Sequence, residues 1–592
     1  MRLEDYWGVG PKTKTRLTDA LGTEAAIDAI ESADLRALAD AGITRGRATR
    51  ILRRANGDAG MSMLGTSDAR NVYDELLSLA GEYAVTEHAA DRIRVLTPLT
   101  DREAITDRLD SVLAAREAWD SLDDDERDAV LDAFARYDER GGTERAAVET
   151  ALALREAGLR GETFAALDDV DPDALREAAG ALGYVSEGRV VDGADDELDR
   201  LRRQHEAAKS LANDAFDVLD TVRDSGVRTL NDFEHAVVEY VTRETDLTRS
   251  DVQRAAADDP VDAADFVSTT LRALATDLEE RVADREETVE AEIREAVETA
   301  RDDVDAAVAA VDDIGFALSL ARFADAHDLR RPTLVDDGLA VAGARNLLLS
   351  GDVQPVTYGV GEHALAGDVA GDAVDNGASG DLSPPSGDRV TVLTGANSGG
   401  KTTLLETLCQ VVLLTAMGLP VPAEAAEVGA FDTVVFHRRH ASFNAGVLES
   451  TLKSIVPPLT DEGRALMLVD EFEAITEPGR AADLLNGLVQ LTVDRGALGV
   501  YVTHLADELS PLPSAARIDG IFAEGLTQDL ALQVDYQPRF GTVGKSTPEF
   551  IVSRLVANAR DRAERGGFEA LAAAVGEEAV QRTLSDAQWE SE

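Results

Sequence analysis

A chain of 592 residues with 44% apolar side chains is too long for one hydrophobic core and apolar enough to build several. Its 58 basic and 113 acidic side chains give a net charge of −55, and lysine supplies only six of the cations. Spread evenly, that acid reads as a surface coat adapted to a salt-rich cytoplasm, where screening mutes self-repulsion, so it excludes neither a compact fold nor a nucleic-acid partner. The single cysteine, Cys409, excludes an internal disulfide and a multi-cysteine metal site. Its apolar helical surroundings make it a small buried hydrophobe. No apolar run reaches the ~20 residues of a membrane span, and Glu4 and Asp5 stand where a signal peptide would be basic, so the expected location is cytoplasmic.

Residues 1–57 form a local island of positive charge, with ten Lys or Arg against eight Asp or Glu. Val9-Gly10-Pro11-Lys12-Thr13-Lys14 and Ala41-Gly42-Ile43-Thr44-Arg45-Gly46-Arg47 each stand between helical patterns in the small, apolar and basic order of a helix-hairpin-helix, and together they look like a tandem pair. In such hairpins a glycine-lined turn at a helix N-terminus offers backbone N–H groups to DNA phosphates, and nearby cations add charge without reading sequence. The residues expected on DNA are Gly8, Gly10, Lys12, Lys14, Gly42, Arg45, Gly46 and Arg47. The other reading is an α-hairpin whose glycines only cap helices.

From about Met61 to Ala344 the Ala-, Leu-, Asp-, Glu- and Arg-rich sequence has apolar residues at helical intervals and is expected to be almost entirely α-helical. Asp195 to Val222, with Leu198, Leu201, Ala208, Leu211, Ala215 and Val218 on one face, and Asp265 to Phe323 are long enough to be the two arms of an antiparallel coiled coil. Two ordinary bundle helices fit the same periodicity. The Gly-, Asp- and Ala-rich tract His363 to Gly387 reads as a loop or hinge. Beyond it, short β-branched runs (Arg389 to Leu393, Thr433 to Phe436, Ala465 to Val469, Gly499 to Val502) alternate with helical patterns, the signature of an α/β domain with a largely parallel sheet. The expected organisation is a helix-hairpin-helix pair over 1–57, an all-α core with long arms over 61–345, an α/β P-loop domain over 346–560 and a helical tail over 561–592.

The strand Val390 to Leu393 runs into Gly395-Ala396-Asn397-Ser398-Gly399-Gly400-Lys401-Thr402, followed by a helical pattern from Thr403. This is the complete Gly-x4-Gly-Lys-Thr motif between strand and helix. Its glycines let N–H groups turn around phosphate oxygens, Lys401 reaches the β- and γ-phosphates, and the Thr402 hydroxyl ligates Mg²⁺. ATP and Mg²⁺ are therefore the expected ligands. Sixty-nine residues after Lys401, an apolar strand ends in Asp470-Glu471. There Asp470 would hold Mg²⁺ and Glu471 would act as general base. A third strand ends at Thr503-His504, which places His504 within reach of the γ-phosphate.

Together, Thr394 to Thr402, Val469-Asp470-Glu471-Phe472 and Val502-Thr503-His504 resemble the MutS family of ABC-type ATPases, with Asn397 and the double glycine as the discriminating details. The likeness extends to Val311–Ala321, Arg331-Pro332, Gly338–Arg345 and Val534–Arg539, so it covers roughly residues 60 to 570. The resemblance implies a homodimer whose arms embrace DNA. It also implies a signature loop, around Ser442-Phe443 to Ser450-Thr451, that completes the partner's ATP site through Ser442 or Ser450. Glu473 to Arg480 would communicate between the two sites. No Gly-x-Phe-x-Glu wedge stands in an N-terminal domain, since Phe233-Glu234 and Phe568-Glu569 lie elsewhere, so mismatch-specific recognition is not expected. Nor is the nuclease domain with which bacterial second-branch paralogues end. The best match is the archaeal second-branch paralogue, which implies a DNA-binding ATPase in repair or recombination that does not read sequence. The alternatives are an ATP-gated clamp on branched DNA with little turnover, or an ABC-type ATPase acting on protein or ribosome complexes.

Overall fold

A computed structural model describes the chain apart from residues 1, 160–161, 169, 187–188, 225–228, 259, 352, 366–382, 396–399, 440–444, 462, 472–477, 506–507, 510, 527–531, 545–547 and 590–592. The chain divides into two compact units, one of residues 1–127 with 312–592 and one of residues 128–311. Helices dominate both. Many begin at a Thr or Asp whose side chain accepts from a backbone N–H three residues on, as at Thr66, Thr86, Asp101, Thr143, Asp195 and Asp262. The acid-rich composition thus supplies helix caps as well as surface charge.

The strands, in chain order, are β1 (Val185–Ser186), β2 (Arg189–Val190), β3 (Thr333–Val335), β4 (Leu339–Ala344), β5 (Val356–Val360), β6 (Val390–Gly395), β7 (Ala425–Gly429), β8 (Thr433–His437), β9 (Ala465–Asp470), β10 (Leu498–Val502), β11 (Ala516–Leu526) and β12 (Leu532–Arg539). In the larger unit a six-stranded sheet runs β12-β11-β6-β10-β9-β8, parallel except for β12. Val500 of β10 lies between Thr391 of β6 and Leu468 of β9. Strands β6, β9 and β10 are buried along their whole length, as their uninterrupted apolar runs require. Leu393, Leu466 and Leu468 face a core shared with the helix Lys401–Ala416, while Val392, Met467 and Val469 face Ile455, Leu485 and Val489 on the other side. Cys409 is fully buried in the first of these cores, and burial pushes its thiol well above the usual range.

The segment after Met61 belongs to this sheet's surroundings: Gly65 donates to the Val434 carbonyl, Thr66 Oγ1 to that of Phe436 (2.5 Å), and Leu99 to that of Ala416. A second sheet, β3-β7-β4-β5, joins β3 parallel to β7 and is otherwise antiparallel. The two ends of the tract 363–387 meet, His363 donating its N–H to Ser386 Oγ at 2.9 Å; most of the tract lies outside the described residues.

The expectation of nearly unbroken helix from 61 to 344 fails at β1 to β4. Leu339-Ala-Val-Ala-Gly-Ala344 has a helix-compatible, Ala-rich composition, but pairing with β5 and β7 on both sides decides its conformation. In the 128–311 unit, the stretch expected as one arm is two helices, Asp196–Asn213 and Ala215–Asp224, broken at Asp214. The other expected arm divides at Ala300, Ala263–Thr299 lying in this unit and Arg301–Ala326 continuing from it. The helices Asp196–Asn213 and Ala263–Thr299 pack against each other: Asp195 meets Arg285 at 2.7 Å, and Leu198 and Val289 share a small apolar cluster. Leu198, Leu201, Ala208 and Val218 are buried as expected, and Leu211 and Ala215 are partly so.

Candidate active site

Parallel strands leave their C-terminal ends on one edge of the sheet, and βα turns there place helix N-termini and short polar segments together. β6, β8, β9 and β10 all end on that edge. Gly395 closes β6, and the helix Lys401–Ala416 begins directly after Gly400. Gly400 has φ +70°, and a Cβ there would meet the Tyr536 ring at 2.7 Å, so only glycine fits without moving the tyrosine. Ala396, Asn397, Ser398 and Gly399 lie outside the described residues. The base of this turn is pinned from behind: Thr394 Oγ1 donates to the Asp519 carbonyl (2.9 Å) and accepts from the Gly544 N–H (2.6 Å).

Lys401, Thr402, Asp470, Glu471 and His504 converge. Lys401 is only 4% exposed; its Nζ donates to the Gly395 carbonyl at 2.9 Å and lies 3.8 Å from Glu471 Oε1. Burial lowers the proton affinity of its ammonium, against the attraction of Glu471 and Asp470. Thr402 Oγ1 donates to Asp470 Oδ2 at 2.5 Å. Asp470 is 2% exposed, burial raises its carboxyl above the usual range, and its Oδ1 has no hydrogen-bond partner among the described residues. An orphaned carboxylate oxygen beside a threonine hydroxyl is a donor set suited to a hard divalent cation such as Mg²⁺.

Glu471, 6% exposed, follows the end of β9 with φ +39°, a left-handed conformation that a side-chain-bearing residue holds only where its surroundings enforce it. His504 Nε2 lies 2.5 Å from its Oε1, and Arg439 Nη1 lies 2.6 Å from its Oε2. Burial alone would raise this carboxyl; the hydrogen bond and charge of His504, with the charges of Lys401 and Arg439, outweigh burial and hold it below the usual range. A cavity of about 440 Å³ opens beside the group, lined by Asn346, Leu349, Val356, Thr403, Thr407 and Tyr536 together with Lys401, Thr402 and Glu471. The site can therefore present buried cations and a cation-binding acid pair to a polyanion, with a partly apolar cavity alongside.

Sequence reasoning assigned no role to Arg439, Asn346 or Tyr536. Arg439 was the most findable, since it stands two residues past His437, the end of β8, just as Glu471 stands two past Val469, the register partner of His437. Tyr536 lies in the quoted segment Val534–Arg539, but only the fold brings it against Gly400. Ser442 lies outside the described residues, as does most of Glu473–Arg480. Ser450 is exposed on the helix Ala445–Thr460.

At the N-terminus, Gly8 and Gly42 have φ near +80° (+79° and +81°), and the helices Pro11–Leu21 and Arg45–Ser62 follow closely behind them. The second turn is preceded by a helix, Leu35–Asp40, but the first is preceded only by the 3-10 turn Leu3–Asp5, so that hairpin is less complete than its sequence implies. The two turns are tied together: Arg47 donates to the Gly8 carbonyl (3.1 Å) and Arg16 to that of Gly42 (3.2 Å). Lys14 pairs with Glu4 and Arg45 with Asp91, whereas Lys12, Gly10 and Gly46 are exposed. Among the described residues no helix is long and apolar enough to cross a membrane.

No protein-family model matches the chain. It is similar to the DNA-binding protein MutS2 of Pyrococcus furiosus, 41% identical over 246 residues, or 41% of each protein. It is 29% identical to the DNA mismatch repair protein MutS of Rhizobium meliloti over 489 residues, 74% of this chain and 49% of that one. With the endonuclease MutS2 of Thermus thermophilus it shares 32% identity over 173 residues, 28% of this chain and 23% of the relative. The chain thus spans less than half the length of each of these relatives.

Proposed function

Because this chain belongs to the MutS family as a MutS2-like paralogue, we propose that it is a DNA-binding ATPase of repair or recombination that acts as a homodimer and does not read sequence. The observation that carries the reading is the hydrogen bond from Thr402 to the buried Asp470, whose Oδ1 is unpartnered among the described residues, beside Lys401 and Glu471.

In this reading Gly395 to Thr403 cradle the phosphates, with Ala396, Asn397, Ser398 and Gly399 supplying backbone N–H groups. Thr402 and Asp470 hold Mg²⁺, which neutralises charge on the phosphate oxygens. Lys401 binds the β- and γ-phosphates, Glu471 accepts a proton from the attacking water, and His504 orients Glu471 and reaches the γ-phosphate. Ser442 or Ser450 completes the partner's site. The helices around Asp196–Asn213 and Ala263–Thr299 serve as arms, and the turns at Gly8–Lys14 and Gly42–Arg47 hold DNA phosphates. The names of the relatives, a DNA-binding protein and a mismatch repair protein, support the DNA half of the reading. No nuclease activity is proposed.

Light scattering with Mg-ATP in molar KCl tests the dimer and the site together. Glu471→Gln is expected to hold ATP and accumulate as a dimer, with turnover reduced about 10²- to 10⁴-fold. A Glu471→Gln protein that hydrolyses ATP at the parental rate would remove the general base from the account.

A further inference from the structure

The register that places Arg439 beside Glu471 has a chemical consequence. β8 and β9 run parallel with His437 opposite Val469, so the residues two beyond this pair, Arg439 and Glu471, emerge side by side at the sheet edge where the phosphate-binding turn lies. Their ion pair is uneven, because the guanidinium side chain is 47% exposed and the carboxylate side chain 7%. Glu471 is held on both oxygens, Oε2 by Arg439 and Oε1 by His504, with Lys401 Nζ 3.8 Å away. Three cationic or protonatable side chains thus converge on one carboxylate. With Oε2 held by Arg439 and Oε1 by His504, Glu471 has no oxygen open to a water until one of these partners leaves.

Resting on the ATPase reading, we infer that Arg439 is a catalytic arginine supplied by the same subunit, which leaves Glu471 when ATP binds and places its guanidinium on the γ-phosphate oxygens. Half exposed, the guanidinium is easily released from its ion pair, and its planar fork of donors suits two phosphate oxygens at once. The transfer does two things. It frees Glu471 Oε2 to accept the proton of the attacking water, and it adds positive charge where the transferred phosphoryl group develops charge. In the step itself the water oxygen forms a bond to the γ-phosphorus. The bond from that phosphorus to the β–γ bridging oxygen breaks, its electron pair leaving with ADP, and the water proton passes to Glu471.

The test compares full-length parental protein with Arg439→Ala and Arg439→Lys in steady-state Mg-ATP hydrolysis, ATP binding, and binding of ADP with aluminium fluoride as a mimic of the transition state. For Arg439→Ala, kcat should fall by about 10³-fold or more, the lower side of what catalytic arginines supply. ATP affinity should stay within about threefold, which also shows that the site is folded, and affinity for ADP–aluminium fluoride should fall with kcat. Arg439→Lys should recover only part of the rate, because one ammonium cannot bridge two oxygens. Added guanidinium ion should speed Arg439→Ala and leave the parental rate unchanged. If Arg439→Ala turned over as fast as the parental protein or faster, or bound ADP–aluminium fluoride equally well, the inference would be overturned and Arg439 would be a restraint on Glu471. No turnover by the parental protein would overturn the ATPase reading as well.

Discussion

At the head of β6 and β9, Lys401, Asp470 and Glu471 are buried and answer one another's charge, whereas in the unit 128–311 the ions lie on helix surfaces and an apolar seam lies between them. Arg285–Asp195 and Arg202–Glu286 flank that seam, and Leu201, Leu271, Leu274 and Leu278 fill it. The same acid-rich composition therefore does two jobs. Where charges are buried, removing one partner strands the others. Where they are exposed, each pair contributes little, and the seam carries the stability.

The sharpest way to break this contrast is Lys401→Ala. It removes the charge-assisted bonds to the phosphates, and binding of a fluorescent ATP analogue should weaken by about two orders of magnitude or more. In the helical unit, Leu271→Ala should cost about 2–5 kcal/mol in denaturant unfolding of that unit and leave ATP binding intact, because it opens a cavity in the seam. Loss of ATP binding in that variant would mean that the two regions are not independent. At the N-terminus, Lys12→Glu should weaken DNA binding about threefold to tenfold and make the salt dependence shallower by about one unit of slope. An unchanged slope would take Lys12 off the phosphate backbone.

The smallest expected effect is that of Arg285→Ala. Hydrogen bonding to Arg285, with the Leu198 N–H, lowers the Asp195 carboxyl to about 2 from 3.8. A depressed carboxylate adds stability that is complete above the unfolded value and fades as pH falls through the folded one. The parental advantage over Arg285→Ala in denaturant unfolding should be small above pH 4 and should shrink towards pH 2. An advantage that grew on acidification would reverse the assignment.

The legible parts of the molecule were those in which spacing is chemistry. Gly395 and Gly400 to Thr402, the acids after Ala465–Val469 and His504 after Gly499–Val502 can be placed from sequence because a strand end fixes where the next residue stands. The cysteine and the buried face of Asp196–Asn213 followed from apolar pattern. Strand β4 was missed because Leu339–Ala344 takes its conformation from β5 and β7, partners distant in sequence. The breaks at Asp214 and Ala300 escaped because apolar periodicity continues across them. Arg439 and Tyr536 went unseen for a different reason. Neither belongs to a motif, and only sheet register and the close approach at Gly400 bring them to the cavity.

The coupling of this buried site to DNA is tested most directly by the rate of Mg-ATP hydrolysis in high potassium salt, with homoduplex, mismatched and four-way-junction DNA added in turn. The account predicts turnover that DNA stimulates, equally for homoduplex and mismatch. A rate indifferent to every DNA would contradict it and point to a protein or ribosome complex as the partner.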